Sequence, residues 1–587
     1  MTLDFVSIES ILAIDCGSSL TRTLLIDLVE GEYRLIAQAE APSTVEPPWN
    51  DIMVSVRQTI QQITQITGWQ LLDERGQIIT PQRRDGGVDA VAATASVGEP
   101  MRLLLSGIMP EVSIKSAQRA LSGSYTTVEG IISVDRRQGG LSNRDIEGQV
   151  RKIQEVKPDA IVLVGGMDGG PGEPILRSAE AIALACSALP KAERPLVIYA
   201  GNAHLREQVA EIAGTDTRLQ AVDNVRPSME VENPGPLQVE IEGLYRQKKM
   251  ERVPGMSTLA AWSPVPVLPS AQALAHSIQY LAQTNGINVL GVNVGGNSAV
   301  AAAVLNEQLE LAISSDLGSG HNAAQILERV SPESILRWLP FAIDREELVN
   351  KLVNKSLRPR TLPNTRQDLL IEQALTREIL RALATDLKAR WNGKGGAHEP
   401  GYLPRFHLIV GGGGVLSNVS HFGQAVLILL DALQPTGVCG LALDKVGLLA
   451  PLAPVAMVNP VAAAQTMEHD TLLNLGTVVA PIGSDREGET ALTFTIHYQD
   501  ERSLQVQVPY GSLEVIPLPL GQTATLELRP SRRFDVGLGA KGKAGTTKVE
   551  GGLIGIIIDA RGRPLPIADD PIEQNERMQR WLWDVGS

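Results

Sequence analysis

Three glycine-rich loops, each following an apolar run, carry the residue types best suited to handling an anion. The first is Asp15-Cys16-Gly17-Ser18-Ser19-Leu20-Thr21. Gly17 lets the backbone approach a ligand closely, and the hydroxyls of Ser18, Ser19 and Thr21 can donate hydrogen bonds to phosphate oxygens. Asp15, where the apolar run Ile11–Ile14 ends, is suited to holding a hydrated Mg2+ ion. The second loop, Asn293-Val294-Gly295-Gly296-Asn297-Ser298, repeats the layout of apolar run, glycine and polar residues. The third is Gly411-Gly412-Gly413-Gly414, after the apolar run Phe406–Val410. Each glycine costs about 0.5–1 kcal/mol of extra chain entropy. Four in succession are therefore a marked expense at a strand end, for which close approach of a planar or anionic ligand is the usual compensation. Taken singly, the first loop also reads as a plain hairpin turn. The second also reads as a turn into a helix over the alanine-rich Ala299–Leu305, and the third as a flexible turn.

A fourth loop, Gly165-Gly166-Met167-Asp168-Gly169-Gly170, ends the apolar run Ala160–Val164 and precedes a helical pattern. Asp168, Gly169 and Gly170 are candidates for a second anion site at a helix N-terminus, and a tight strand-to-helix turn is the competing reading. Gly537-Leu538-Gly539-Ala540-Lys541-Gly542 fits GxGxxG but opens no helix, so it is expected to be a basic surface loop. No GxxxxGKS or GxxxxGKT phosphate loop occurs, the eight histidines show no ligand spacing, and Cys16, Cys186 and Cys439 form no CxxC pair. Zinc fingers, iron–sulfur clusters and a disulfide framework are thereby disfavoured.

The elements that must position these loops follow from periodicity. Residues 8–40 read as strand, turn, strand, and residues 50–66 have helical spacing. Residues 88–225 alternate apolar strands (Val88–Ala92, Arg102–Ser106, Gly130–Val134, Ala160–Val164, Leu196–Ala200) with amphipathic helices such as Asn143–Val156 and Pro174–Ser187. That alternation indicates parallel βαβ units. A proline-rich stretch over 226–270 reads as an irregular connection. A second strand–turn–helix begins at Val289, a long helix covers Asp368–Trp391, and a glycine-rich break spans 392–404. Beyond 480, short alternating strands (Ala491–His497, Leu504–Val508, Leu513–Pro517, Ala524–Leu528, Leu553–Asp559) suggest a separate all-β domain.

Bulk properties bound the function. The 587 residues carry a net charge of −14, which repels nucleic-acid phosphates. No basic leader and no run of about 20 uncharged apolar residues is present, so a cytoplasmic protein with neither nucleic-acid nor membrane partners is expected. With 43% apolar but only 4% aromatic residues, the core must be aliphatic, as in helix-covered parallel sheets.

The three loops in their order resemble the phosphate-1, phosphate-2 and adenosine motifs of the actin, heat-shock chaperone and sugar kinase superfamily. Within it the chain resembles the glutamate mutase L component family. The segments that carry this are Ile14–Thr21 (IDCGSSLT), Pro158–Gly170 (PDAIVLVGGMDGG), Tyr199–Asn202 (YAGN), Leu290–Ser298 (LGVNVGGNS), Asp316–Gly318 (DLG), Ile409–Leu416 (IVGGGGVL) and Leu443–Ala450 (LDKVGLLA).

The resemblance implies an α/β, two-lobed, ribonuclease-H-like ATPase fold. Residues 1–285 would form a first lobe with the βαβ region inserted and 286–480 a second lobe, while the all-β domain, 481–587, lies outside the resemblance. It implies ATP and Mg2+ as cofactors, and Asp15, Gly17, Ser18, Ser19, Thr21, Asn293, Gly295, Gly296, Asn297, Ser298 and Gly411–Gly414 as the site. It also implies a helper that assembles or reactivates an adenosylcobalamin-dependent mutase. A small-molecule kinase or a weakened pseudo-ATPase scaffold is the alternative. The family pattern has an acidic residue where this chain has Asn293, so hydrolysis is expected to be slow. Activators of 2-hydroxyacyl-CoA dehydratases share the fold but need cysteine-held iron–sulfur, against which the scattered cysteines argue.

Overall fold

A computed structural model of the protein describes residues 8–133, 143–391 and 401–587. The chain divides into two compact units, Met1–Val97 with Val253–Ser587, and Gly98–Arg252.

In the first unit, the largely apolar strand Ile11–Cys16 pairs antiparallel with Leu20–Val29, which pairs with Glu32–Pro42. Ala90–Ala95 runs parallel to Ile11–Cys16 on its other edge, and Leu268–Pro269 completes a five-stranded sheet. The same meander recurs later. Val289–Val294 pairs antiparallel with Ala299–Leu305, which pairs with Gln308–Ser314, while Leu408–Gly412 runs parallel to Val289–Val294. Gly437–Asp444, Leu472–Ala480, Gly555–Asp559 and Leu513–Ile516 extend this second sheet to eight strands. Two sheets of like topology, each built on a three-stranded meander with a parallel neighbour, are the two ribonuclease-H-like lobes of the actin-like fold. Ile278 and Leu281 of the helix Ser270–Asn285, with Leu449 and Leu452 of Leu449–Val458, pack against Ile11 and Ala13 of the first sheet and Val300 and Ala302 of the second. One aliphatic core thus joins the lobes and fixes the distance between their loops.

The other unit holds five parallel strands in the order Thr126–Ser133, Met101–Gly107, Ala160–Val164, Leu196–Tyr199, Arg218–Ala221. All five residues of Ala160–Val164 are buried, as expected for a parallel strand covered on both faces.

Four expectations are corrected. The inserted region begins after, not before, Ala90–Ala95, because that strand completes the first lobe's sheet; the compact insert is Gly98–Arg252 rather than 88–225. The proline-rich stretch contains the helices Gly235–Lys248 and Met256–Trp262; Pro236 near the start of the first of these lies where a missing N–H costs nothing. Ala299–Leu305 is a strand, not a helix. Pairing along both its edges overrides alanine's helix propensity.

The fourth correction concerns the tail, which is not separate. Its four-stranded sheet (Ser503–Pro509, Thr490–Tyr498, Thr523–Pro530, Gly545–Glu550) is self-paired, but Leu513–Ile516 and Gly555–Asp559 belong to the second lobe's sheet, and Pro571–Asp584 is a helix. Side chains alternate across a strand. Accordingly Ile557 and Val478 enter the second lobe's core with Trp581 and Leu582, whereas Ile556, Ile558 and Val479 pack on Phe494 and Leu526 of the small sheet. The glycine-rich break at 392–404 lies mostly outside the described residues.

A buried ion network reinforces that junction. Asp431 accepts Arg377 Nε at 2.9 Å and Arg561 at 2.9 Å. Asp559 pairs with Arg561 (2.9 Å) and with Arg563 (2.7 Å). Burial works against ionising Asp559, but Arg561 and Arg563 together outweigh it and hold the carboxyl well below the usual range.

Candidate functional site

Both meanders turn at a glycine. Gly17 N–H donates to Leu20 O at 2.9 Å, and Gly295 N–H to Ser298 O at 2.9 Å. The two tips meet: a Cβ on Gly296 would collide with Ser19 Oγ and lie 3.4 Å from Ser18 Oγ. A larger residue there would have to displace the Ser19 hydroxyl. Ser19 Oγ and Asn297 Oδ1 are both buried there without a hydrogen-bond partner, which is the state of groups that a ligand would satisfy.

Asp15 is the fifth residue of its six-residue strand. Its Oδ1 accepts Thr94 Oγ1 at 2.7 Å and Ser270 Oγ at 2.8 Å. Thr94 comes from the parallel neighbour strand and Ser270 opens the helix Ser270–Asn285, so both lobe elements orient the carboxylate. Both hydroxyls take the same oxygen, and Oδ2 is the one that can face the water shell of a cation.

Asn293 is likewise fifth in its strand, level with Gly412. A Cβ on Gly412 would lie 3.2 Å from Asn293 Nδ2 and 3.7 Å from Asp444 Cβ. Val294, Gly412 and Asp444 thus end three adjacent parallel strands, and the crevice beyond such ends is where open α/β sheets bind ligands. Gly413, at φ +100°, approaches Val294 so closely that a Cβ would strike its carbonyl, while Gly414 has open space around it.

The segment after Gln308–Ser314 wraps the second tip. Ser319 N–H donates to Gly295 O and Gly320 N–H to Gly296 O, each at 2.9 Å. Asn322 Nδ2 donates to Asn297 O and, at 2.9 Å, to Ser315 O. From the first lobe, the loop after Glu32–Pro42 reaches the same place. Glu46 pairs with His321 Nε2, and Ser43 O accepts from Arg360 at 2.7 Å. Ser43 Oγ and His321 Nδ1 are also buried and unpartnered.

Two charged residues of the site were not foreseen. Asp444 is 3% exposed. Burial pushes its carboxyl up to about 6, against the opposing pull of the Leu448 and Leu449 N–H groups (2.8 and 3.1 Å) and of Arg22. Arg22 sits opposite Asp15 in the hairpin register. Burial disfavours its charge, but Glu40, Asp15 and Asp444 outweigh that and keep the guanidinium charged. Arg22 lies against Gly447 of the second lobe, whose Cβ would come 2.8 Å from Nη1. Asp444 stands in the quoted LDKVGLLA segment; its position after an apolar run was a signal of the same kind as Asp15.

Three expected residues or groups are placed otherwise. Thr21 is buried and bonds Ser55 Oγ at 2.8 Å, so its hydroxyl holds the hairpin to the helix Ile52–Thr67. Gly411 packs against Leu416, Leu429 and Leu443 inside the second lobe. The Asp168–Gly170 loop is closed to an anion because its N–H groups are already used. Asp168 N–H donates to Pro227 O (3.1 Å), Gly169 N–H to Asn202 Oδ1 (3.2 Å) and Gly170 N–H to Met167 O (2.9 Å). The Asp168 carboxylate accepts Ala203 N–H (2.8 Å) and Asn224 Nδ2 (2.9 Å), closing the turn.

Among the described residues no cluster of three His, Cys, Asp or Glu side chains could hold a metal by itself, and no helix is long and apolar enough to cross a membrane. All three cysteines are buried and free.

A family model described as MutL protein matches residues 11–471. A relative named Protein MutL, from Clostridium tetanomorphum, is 24% identical over 404 residues, covering 65% of this chain and 78% of its own. Among solved structures, the activator of 2-hydroxyisocaproyl-CoA dehydratase from Clostridium difficile aligns at 10% identity over 79% of this chain and 98% of its own, TM-score 0.27. Gluconate kinase from Lactobacillus acidophilus aligns at 10% identity over 79% and 93%, TM-score 0.29. Likenesses this distant assign no function.

Proposed function

The chain belongs to the MutL protein family, and we propose that it is an ATP-binding switch that assembles or reactivates an adenosylcobalamin-dependent mutase. The observation that carries the nucleotide reading is the meeting of two glycine tips, with Ser19 Oγ and Asn297 Oδ1 buried and unpartnered between them.

The residues present fit a nucleotide. Ser18, Ser19 and the tip N–H groups other than those of Gly17 and Gly295, which close their turns, would hold its phosphates, and the open space at Gly414 beside Gly412 and Gly413 would admit the adenosine. Asp15 would orient the water shell of Mg2+, which when bound neutralises phosphate charge. Arg22, kept charged between Asp15 and Asp444, limits carboxylate repulsion at that spot.

A switch needs ATP to favour one lobe arrangement and ADP another, and a ligand shifts such an equilibrium only by its differential affinity for the two. Contacts that cross between the lobes, Ser19 with Gly296, Glu46 with His321 and Arg22 with Gly447, are the ones a nucleotide would remake. Asn293 is neutral where Asp15 is charged, so slow turnover is expected, with the mutase or nucleotide exchange completing the cycle. That neutral residue also favours the second reading, a pseudo-ATPase scaffold. The two carboxylates considered for a kinase base are already engaged: Asp316 is paired with Arg329 at 2.6 Å and Asp168 closes its own turn.

The mutase role rests on the family resemblance. It is tested by incubating the protein with a purified adenosylcobalamin mutase carrying inactivated cofactor, with ATP, ADP or neither, and measuring recovered mutase activity. Recovery that requires ATP is expected. Nucleotide binding without recovery for any such mutase would leave the scaffold reading.

A further inference from the structure

Four buried polar atoms without partners lie on the segments that meet at the two tips: Ser19 Oγ, Ser43 Oγ, Asn297 Oδ1 and His321 Nδ1. The two serine hydroxyls can donate to phosphate oxygens, whereas Asn297 Oδ1 only accepts. The histidine is different in kind. Its Nε2 is paired with Glu46, and an ionised carboxylate only accepts, so Nε2 carries the proton and Nδ1 presents a lone pair when the ring is neutral. The ring's place is fixed from both sides. Gly320 before it and Asn322 after it each bond a carbonyl of the second tip, Gly296 O and Asn297 O respectively. A carboxylate-oriented imidazole with its second nitrogen unused is the arrangement of a general base.

Resting on the ATP reading above, we infer that His321, oriented by Glu46, is the base for hydrolysis. In this step a water oxygen forms a bond to the γ-phosphorus as the bond from that phosphorus to the β,γ-bridging oxygen breaks. The water proton passes to His321 Nδ1, Glu46 stabilises the resulting imidazolium, ADP leaves with the bridging oxygen, and the proton is later lost to solvent. Because Glu46 comes from the first lobe and His321 from the second, the dyad exists only when the lobes are together. Chemistry is thereby confined to the closed state, which is what a nucleotide switch requires.

The alternative is that the pair is only an interlobe latch. The two are separated by measuring ATP affinity and single-turnover phosphate release for the wild type, His321→Ala, His321→Gln and Glu46→Gln, with thermal melts as a check on folding. Positioned acid–base groups contribute about 10²–10⁴-fold. His321→Ala is expected to slow phosphate release at saturating Mg-ATP by at least about 100-fold, with ATP affinity changed by less than about threefold, and imidazole in the buffer should restore part of the rate. Glu46→Gln, on the other lobe, should slow release about tenfold and still be insensitive to imidazole, which keeps the test sound should His321→Ala fail to fold. Phosphate release unchanged in both variants, or affinity and rate lost together without imidazole rescue, would overturn the inference while leaving the nucleotide site intact. Wild type that binds no adenine nucleotide would overturn the site reading and this inference with it.

Discussion

The two hairpins are built alike and charged differently. In each, a six-residue strand presents a polar residue at its fifth position, Asp15 or Asn293, and a glycine N–H closes the turn onto a carbonyl three residues on. Around Asp15 two hydroxyls and a guanidinium answer a negative charge. Around Asn293 stand a glycine strand end and the buried Asp444. The backbone of the second hairpin therefore repeats the geometry of the first while its side chain gives up the charge. Geometry and charge are separable properties of such a site; the second tip is held by Ser319, Gly320 and Asn322 behind it, and the lobe that carries it is completed by the C-terminal strands and helix.

That dependence predicts the largest effect. Trp581 of the C-terminal helix is buried in the core of the second lobe. Trp581→Ala should cost about 3–5 kcal/mol, read by chemical denaturation, and truncation near residue 480 should unfold the second lobe. A truncated chain that stays folded and binds nucleotide would show that the tail is independent after all. Next in size, Gly413→Val places a β-branched side chain at φ +100° against the Val294 carbonyl. It should lower stability by about 2–4 kcal/mol through combined strain and overpacking and abolish adenosine binding. By contrast Gly31→Val, in the turn between Leu20–Val29 and Glu32–Pro42, has no neighbour within 4 Å of its Cβ, so it should cost only the backbone strain.

Asp444 gives a pH test. Its folded carboxyl titrates near 6, above the usual 3.8, so the folded state binds the proton more tightly than the unfolded one. The favourable contribution is complete below about pH 4 and is lost as pH rises through 6. Asp444→Asn should flatten the stability profile between pH 4 and 6; an unchanged profile would assign that slope elsewhere. Smallest in energy is Asn293→Asp. Restoring the carboxylate should raise basal phosphate release severalfold if charge is what the second tip lacks. Brisk release by the wild type, unaltered by the substitution, would show that Asn293 is no handicap.

Much of this was legible in the sequence where a local rule decides the outcome. The fully apolar run Ala160–Val164 and the long periodic helix near Asp368–Trp391 follow directly from burial patterns, and the three glycine loops stood out by their entropic cost. What escaped was set by long-range contacts. Ala299–Leu305 became a strand through two partners that its own composition does not name. Ile556–Ile558 reads as one β run, yet alternate residues serve two cores, so a segment that looks like part of a separate domain is a strand of the second lobe. Thr21 was chosen for its hydroxyl, but the alternation of the strand turns that hydroxyl toward Ser55. His321 carried no motif, since its relation to Glu46 exists only once the lobes are assembled.

The central claim is that a nucleotide sits between the two tips with its metal governed by Asp15. Calorimetric titration of the full chain with Mg-ATP, for the wild type and Asp15→Ala, tests it directly. At about 4 Å and an effective dielectric near 20, one charge pair is worth roughly 4 kcal/mol before desolvation, and each 1.4 kcal/mol is about tenfold in affinity. The account predicts micromolar to millimolar binding by the wild type and at least about tenfold weaker binding by Asp15→Ala. Absence of binding to any adenine nucleotide, or equal affinity in the two proteins, would contradict it.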